Sequence, residues 1–96
     1  MRLKIIAVCG FGVGSSMLLK MKIDEVLKKN GITVSAETAD VGSATSTPCD
    51  VIFTSKELYP KIAEKVTVPV IAIGNFLDTN EIQEKGLKVV QDLLNK

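Results

Sequence analysis

A glycine-rich segment that begins with a cysteine is the part of this chain whose residues could do chemistry. It lies between an apolar, strand-like run and a helix-like run, and its residues are Cys9, Gly10, Phe11, Gly12, Val13, Gly14, Ser15 and Ser16. Glycines let a backbone turn tightly, so that its N–H groups approach an anion, and the following helix adds the positive end of its dipole. A thiol beside such a helix start ionises more readily than an ordinary one. We therefore predict that Cys9 is a nucleophile and that residues 10–16 bind phosphate.

Several residue types that would support other chemistry are missing. The chain has no histidine, which excludes a Cys-His pair, a histidine metal site and a Ser-His-Asp triad within it. Cys9 and Cys49 are too few for a zinc cluster, and Cys49 precedes an apolar strand-like run, as a structural cysteine would. Arg2 is the only arginine, so no guanidinium can clamp a phosphate in the glycine-rich segment. We expect neither a metal nor a cofactor.

Length and composition predict one small globular domain over residues 1–96. Hydrophobic residues make up 46% of the chain, and the net charge of +1 is not concentrated in any segment. The high hydrophobic fraction argues against a disordered chain. The even distribution of charge provides no basic surface for nucleic acid. No run approaches the roughly 20 apolar residues of a membrane span. The apolar run near the N-terminus lacks an export-type cleavage site, so we interpret it as a buried strand of a cytoplasmic protein.

Strand and helix signals alternate along the chain. Apolar or alternating runs predict strands over residues 3–8, 32–37, 50–54 and 69–73. Helical periodicity predicts helices from Ser15 or Ser16 to Asn30, over residues 56–66, and from Asp78 or Thr79 nearly to the end. Residues 38–48 have no apolar period and are predicted to form a loop, whose mobility the sequence does not settle.

This alternation predicts an α/β fold of the Rossmann-like, three-layer kind. Its four-stranded parallel sheet has the order 2-1-3-4, is flanked by three helices, and carries the phosphate loop after strand 1. Ligands of such sheets lie beyond the carboxyl ends of the strands. That edge collects the Cys9 segment, residues 40–43, Thr54 with Ser55, and residues 74–76. Whether Asp40 or Asp78 assists catalysis there stays open.

Three further predictions concern individual side chains. Met17 and Met21 are predicted to fill the core beside the first helix. Asp78 and Glu81 have the spacing of a capping box. We hypothesise that Phe11, Val13 and Phe76 form a rim on which a partner docks.

The strand, the motif Cys-Gly-x-Gly-x-Gly-Ser-Ser and the following Met-Leu-Leu-Lys-Met-Lys resemble the IIB components of the bacterial sugar phosphotransferase system (PTS). The ascorbate type is the most similar, then the galactitol and lactose/cellobiose types. The resemblance implies a cysteine that accepts a phosphoryl group from a phosphohistidine on the IIA component and passes it to a sugar held by the membrane IIC component. Carried over by position, Cys9 is the phosphorylated nucleophile and Gly10 to Ser16 are its phosphate-binding loop. The sugar itself, and the oligomeric state, stay open.

Other functions remain open at this point. A low-molecular-weight phosphatase or arsenate reductase also has a cysteine in a loop after strand 1, but it needs an arginine that residues 9–16 lack. A dinucleotide-binding half-domain would fit the glycines and Glu37, but the chain is too short for a second half. A non-catalytic module of the same fold would not need the thiol.

Overall fold

The strands form one parallel sheet in the order that the sequence predicts. The computed structural model describes residues 3–8, 13–32, 34, 36–75 and 78–95, with backbone alone for residues 13–16. The sheet has the order β2-β1-β3-β4. Its elements are β1 (Ile5–Val8), α1 (Val13–Lys29), β2 (Ala36–Ala39), α2 (Val41–Ser46), β3 (Val51–Ser55), α3 (Tyr59–Ala63), β4 (Val70–Ile73), α4 (Thr79–Ile82), a π-helical turn (Gln83–Leu87) and α5 (Lys88–Leu94).

The burial of each strand follows its place in the sheet. Every residue of the inner strands β1 and β3 is buried, whereas the edge strands β2 and β4 are buried only in part. Continuous apolar runs are typical of strands covered on both faces, so this part of the sequence prediction is confirmed. β1 begins two residues later than predicted and β4 one residue later, both with the predicted end, while β3 is displaced by one residue.

Helices cover both faces of the sheet and create two separate cores. One core joins α1 and the C-terminal helices to the sheet through Leu19, Ile23, Phe53, Ile82 and Val90. The other joins α2 and α3 to the opposite face through Ala44 and Ile62, which pack with residues of β1 and β3. The predicted three-layer arrangement is confirmed. The number of helices was wrong, because the described residues include α2 as an additional one.

Helix α1 begins earlier than its apolar stripe indicates. Its first residue is Val13, so the predicted start at Ser15 or Ser16 was wrong. Valine and glycine have low helix propensity, but the first turn lacks most intrahelical hydrogen bonds, and packing of the rest of the helix decides where it starts. The predicted end is confirmed. Gly31 has a φ of 77°, and the Gly31 and Ile32 N–H groups donate to the carbonyls of Lys28 and Leu27, as in a Schellman motif.

The region after α1 departs most from the sequence prediction. The second strand was predicted over residues 32–37, but β2 is Ala36–Ala39, and the Ala36 N–H donates to the Asp24 carboxylate at 2.8 Å. The loop predicted over residues 38–48 was also wrong, because it contains the end of β2 and helix α2. This helix buries only Ala44, which leaves too few apolar positions to show a period.

The last two helical segments were also predicted only in part. α3 is shorter than the predicted helix, and Pro60 lies in its first turn as expected. The C-terminal helix is interrupted by the π-helical turn, which the sequence analysis did not predict. Gly86 of this turn lies so close to the ring of Phe53 that an added Cβ would overlap its Cε2 and Cζ atoms. The π-helical turn, which is wider than an α-helical one, therefore brings the helix backbone at Gly86 into contact with the Phe53 side chain of strand β3.

Candidate functional site at the carboxyl edge of the sheet

The carboxyl ends of the four strands meet at one edge, where the sequence places the site. The strands end at Val8, Ala39, Ser55 and Ile73. Val8 pairs with Ala39 on one side and with Thr54 on the other. The chain therefore leaves β1 between two paired neighbours, at the point where strand order reverses, which is the usual ligand position in such sheets.

The connection from β1 to α1 comprises residues 9–12. Cys9, Gly10, Phe11 and Gly12 lie outside the described residues, and Val13, Gly14, Ser15 and Ser16 are described as the first turn of α1 without their side chains. The first N–H groups of an α-helix have no intrahelical acceptor and carry the positive end of its dipole. This turn contains no acidic residue. The first turn of α1 thus supplies the backbone donors that an anion needs.

Asp40, the acid that follows β2, is engaged as a helix cap. Its side chain accepts a hydrogen bond of 2.6 Å from the Ser43 N–H, at the start of α2. This backbone hydrogen bond, followed by one to the Ser43 side chain, lowers the pKa of Asp40 below its usual value. A carboxylate stabilised in its charged form is poorly suited to donate a proton. Asp40 therefore has a structural role as the N-cap of α2.

Asp78 and Glu81 organise the loop after β4. Asp78 is the N-cap of α4, because its carboxylate accepts from the N–H groups of Asn80 and Glu81. The reciprocal half of the predicted capping box is not formed. Glu81 instead accepts from the N–H groups of Gly74 and Asn75, at 2.8 and 2.9 Å, and pairs with Lys85 at 2.6 Å. These bonds fasten the start of the loop; Phe76 of the proposed docking rim lies outside the described residues.

The contacts of Glu81 predict a specific pH dependence. The Lys85 ammonium, followed by the two backbone N–H groups, lowers the pKa of Glu81 from 4.5 to about 2. A lowered pKa in the folded state stabilises the protein above the ordinary pKa, and this stabilisation is lost as the pH falls from 4.5 toward 2. We expect Glu81→Gln to lower the urea midpoint clearly at pH 6, with a difference from wild type that shrinks toward pH 2. Glu84→Gln, at an exposed neighbouring position, should leave the midpoint at pH 6 close to wild type; an equal loss in both variants would contradict this role of Glu81.

Thr54 and Ser55 end β3 and are both buried. The Ser55 hydroxyl accepts from the Leu58 N–H at 3.4 Å and so helps to shape the turn before α3. The Thr54 hydroxyl has no hydrogen-bond partner among the described residues. Both residues lie at the edge where the sequence predicts them, but their different surroundings are visible only in the structure.

Cys49 lies at the opposite edge, before the amino end of β3. Burial, and then the negative charge of Asp50, raises the pKa of its thiol. The thiol is half-buried in the second core and borders an open groove of about 370 Å³. A thiol with a raised pKa is a weak nucleophile at neutral pH. These surroundings agree with the structural role predicted for Cys49.

The predicted burial of Met17 and Met21 was wrong. Their exposed fractions are 44% and 59%, although Leu19 and Ile23 of the same helix are fully buried. Residues four positions apart lie on one helix face, so the two methionines form an exposed apolar pair near the start of α1. In the sequence, both methionines stand beside the apolar stripe of α1 and not within it, which is the signal that could have indicated their exposure.

Comparisons with known proteins agree on one family. The family described as the lactose/cellobiose-specific IIB subunit of the PTS matches residues 4–87. The ascorbate-specific PTS EIIB component of Mycoplasma pneumoniae is 32% identical over 90 residues, which cover 92% of this chain and 95% of that protein. Its counterpart in Shigella dysenteriae is 33% identical over 94 residues, which cover 96% and 93%.

A solved structure shows the same fold. It is the lactose-specific IIB component domain from Streptococcus pneumoniae, which superposes with a TM-score of 0.60 at 17% identity and covers 99% of this chain and 97% of that one. The phosphatase alternative is not favoured by these findings. Among the described residues, no helix is long and apolar enough to cross a membrane.

Proposed function

The chain belongs to the IIB family of the bacterial phosphotransferase system, and from this premise we propose that Cys9 carries the phosphoryl group. The EIIB components are phosphotransferases, so the reaction class follows from the family. The identity of the nucleophile, its phosphate-binding residues 10–16, its partners and its sugar are our proposals.

One observation supports Cys9 above all others. β1 ends at Val8 and α1 begins at Val13, so Cys9 directly follows a buried strand in the sequence and stands four positions before the first residue of a helix. A thiol beside the unpaired N–H groups of a first helical turn is stabilised as the thiolate. The same N–H groups suit a phosphoryl group once it is attached. Cys49 is less suitable, because it precedes a strand instead of a helix and because burial raises the pKa of its thiol.

For the first transfer, this chain needs to supply little beyond the Cys9 thiolate and the backbone N–H groups that bind the phosphoryl group. The Cys9 sulfur attacks the phosphorus of a phosphohistidine on the IIA component, forming an S–P bond while the N–P bond breaks. The imidazole leaves with its electron pair and is neutral when its other nitrogen holds a proton. Because this leaving group is good, no strong general acid is required. The chain has no histidine of its own, in keeping with a donor on another protein.

The second transfer returns Cys9 to the thiolate. A hydroxyl of a sugar held by the membrane IIC component attacks the phosphorus, and the S–P bond breaks as the new O–P bond forms. The proton of that hydroxyl goes to a base outside this chain or to water. Ascorbate is the substrate that we propose, because the relatives that match over more than nine-tenths of their length are named for it.

A carrier must also avoid losing its phosphoryl group to water. Activation of water needs a general base or a strong electrostatic clamp near the phosphorus. The glycine-rich segment contains no arginine, and Asp40 is held by its cap hydrogen bond. We therefore propose that phosphocysteine persists until a sugar takes it, and that transfer occurs on the cytoplasmic side of the membrane.

The exposed methionine pair extends the surface that we propose for donor docking. Phe11, Val13 and Phe76 were proposed as its rim, and Met17 and Met21 lie one and two turns along α1 from Val13. Methionine side chains adapt readily to different apolar partners, as a brief contact requires. We therefore propose that the donor docks over the start of α1.

A charge on this surface should slow transfer without unfolding the chain. We expect Met21→Glu to lower the rate of phosphoryl acceptance from IIA about tenfold, since one apolar interface contact contributes about 1–2 kcal/mol. The unfolding midpoint should change little, because Met21 is 59% exposed. Tyr59→Glu is the matched control, with 40% exposure on α3 of the opposite layer. Equal rates in the two variants would argue against docking over α1.

The proposed function is tested by reconstituting the whole relay. The chain is incubated with phosphoenolpyruvate, the general PTS proteins, a IIA component, IIC-containing vesicles and ascorbate, and phosphorylated product is measured. We expect product formation that depends on this chain, with little hydrolysis of an aryl phosphate. Aryl phosphate hydrolysis without any transfer would instead support the phosphatase alternative.

A further inference from the structure

Met17 and Met21 are two of the three large apolar side chains that are exposed among the described residues. They stand one helical turn apart on α1, whereas Leu19 and Ile23 of the same helix are buried in the core. The thioether sulfur of methionine is oxidised by peroxides, which reach an exposed side chain directly. Two oxidisable side chains therefore lie side by side on the solvent face of α1.

The lysines next to this methionine pair are engaged in ion pairs within α1. The Lys20 ammonium lies 2.5 Å from the Asp24 carboxylate, and the Lys22 ammonium lies 3.7 Å from the Glu25 carboxylate. These lysine charges are thus compensated along the helix. The two methionines are the apolar part of this surface, so a change in their polarity alters what the surface can bind.

The oxidation of methionine is the transfer of one oxygen atom. The sulfur attacks one oxygen of hydrogen peroxide, an S–O bond forms while the O–O bond breaks, and the other oxygen leaves as water after a proton transfer. The sulfur loses two electrons, and the peroxide gains them. The product, methionine sulfoxide, is polar, and sulfoxide reductases return it to methionine.

The exposure of the pair decides what this oxidation does to the protein. A sulfoxide within a core disrupts packing, but Met17 and Met21 are in contact with water, and their sulfoxides would stay hydrated in the folded chain. A protein docked over α1 would instead remove the sulfoxide oxygens from water. That step is unfavourable unless the partner supplies hydrogen-bond donors. Oxidation should therefore weaken docking and leave folding unchanged.

We propose that Met17 and Met21 form a reversible oxidation site, at which a peroxide weakens docking of the phosphorylated IIA component. This inference rests on the proposed function, because the donor surface over α1 is part of that function. Formation of the sulfoxides does not depend on any role in the PTS. The modification and its effect on transfer are therefore measured separately.

The test compares the wild-type chain with the double variant Met17→Leu and Met21→Leu, which keeps apolar side chains of similar size but lacks the two sulfurs. The thiols of both proteins are blocked as mixed disulfides with a methanethiosulfonate before treatment with hydrogen peroxide, and dithiothreitol then releases them. Peptide mass spectrometry locates the added oxygen. The rate of phosphoryl acceptance from a IIA component is compared with that of the untreated sample of the same protein. Met1 and both cysteines occur in the two proteins, so any oxidation there affects both.

We expect the wild-type chain to gain one oxygen on each of Met17 and Met21, without a change in its urea midpoint. Its rate of phosphoryl acceptance should fall about tenfold, the effect of covering an unpaired polar group in an interface. Methionine sulfoxide reductases should restore that rate. The double variant should lose less than about twofold on the same treatment.

Three results would overturn the inference. They are the absence of added oxygen at both positions under conditions that oxidise free methionine, a rate for the oxidised wild type within about twofold of its untreated sample, and an equal loss in both proteins. If the untreated wild-type chain accepts no phosphoryl group, the proposed function fails, and the effect on docking fails with it. The mass spectra then still decide whether the pair is an oxidation site.

Discussion

Replacing Cys9 by serine should abolish phosphoryl acceptance, with a rate at least about 1000-fold below wild type. The serine hydroxyl stays protonated at neutral pH, and the chain has no histidine to activate it. The first turn of α1 offers N–H donors and contains no acidic residue. The rate of phosphoryl acceptance from a phosphorylated IIA component measures the effect.

Cys49→Ser is the matched control for this loss. The Cys49 thiol lies at the opposite edge of the sheet, with its pKa raised by burial. We expect this variant to accept the phosphoryl group within twofold of wild type. If Cys9→Ser retained a comparable rate, Cys9 would not be the carrier, whatever the fate of Cys49→Ser.

Gly86→Ala should produce a large loss of stability for a single added methyl group. Its Cβ would overlap the ring of Phe53, which is 1% exposed in the centre of the main core. Overpacking of this kind typically costs about 1–3 kcal/mol. For a domain of this size, the melting temperature should fall by about 4–8 °C per kcal/mol. Thermal unfolding followed by circular dichroism measures the loss.

Two further variants separate this clash from a general effect of alanine. Gly42→Ala adds its Cβ in α2, where the nearest described atom is an Asp40 oxygen at 3.8 Å, so its melting temperature should not fall. Gly86→Ala combined with Phe53→Leu should lose less stability than the sum of the single changes, because the smaller side chain makes room. Strict additivity would show that the ring is not the cause.

The parts of the fold that sequence predicts well are those with long, regular burial. β1 is apolar throughout, β3 is buried throughout, and α1 carries its apolar stripe over several turns, so their type and order could be predicted. β2 is an edge strand with a single buried residue, and its start is fixed by a hydrogen bond from Ala36 to Asp24, a contact between distant segments. The sequence of residues 32–39 alone gives no sign of that hydrogen bond.

The same distinction holds for the candidate site. The glycine-rich segment and Cys9 stand together in the sequence, so they could be singled out directly. The role of Glu81 could not, because its carboxylate turns back to Gly74 and Asn75 instead of closing the local capping box. The isolation of the Thr54 hydroxyl likewise depends on three neighbouring strands. The π-helical turn is explained by the packing of Gly86 on Phe53, which no helical periodicity reveals.

The most direct test of the central claim is to locate the phosphoryl group by peptide mass spectrometry at neutral pH. The chain is first incubated with phosphoenolpyruvate, the general PTS proteins and a IIA component, then digested and analysed with Cys9→Ser and Cys49→Ser in parallel. We predict one phosphoryl group per chain, on the peptide that contains Cys9, and none on Cys9→Ser. A phosphoryl group on Cys49, on Ser15 or on Ser16 would contradict the account.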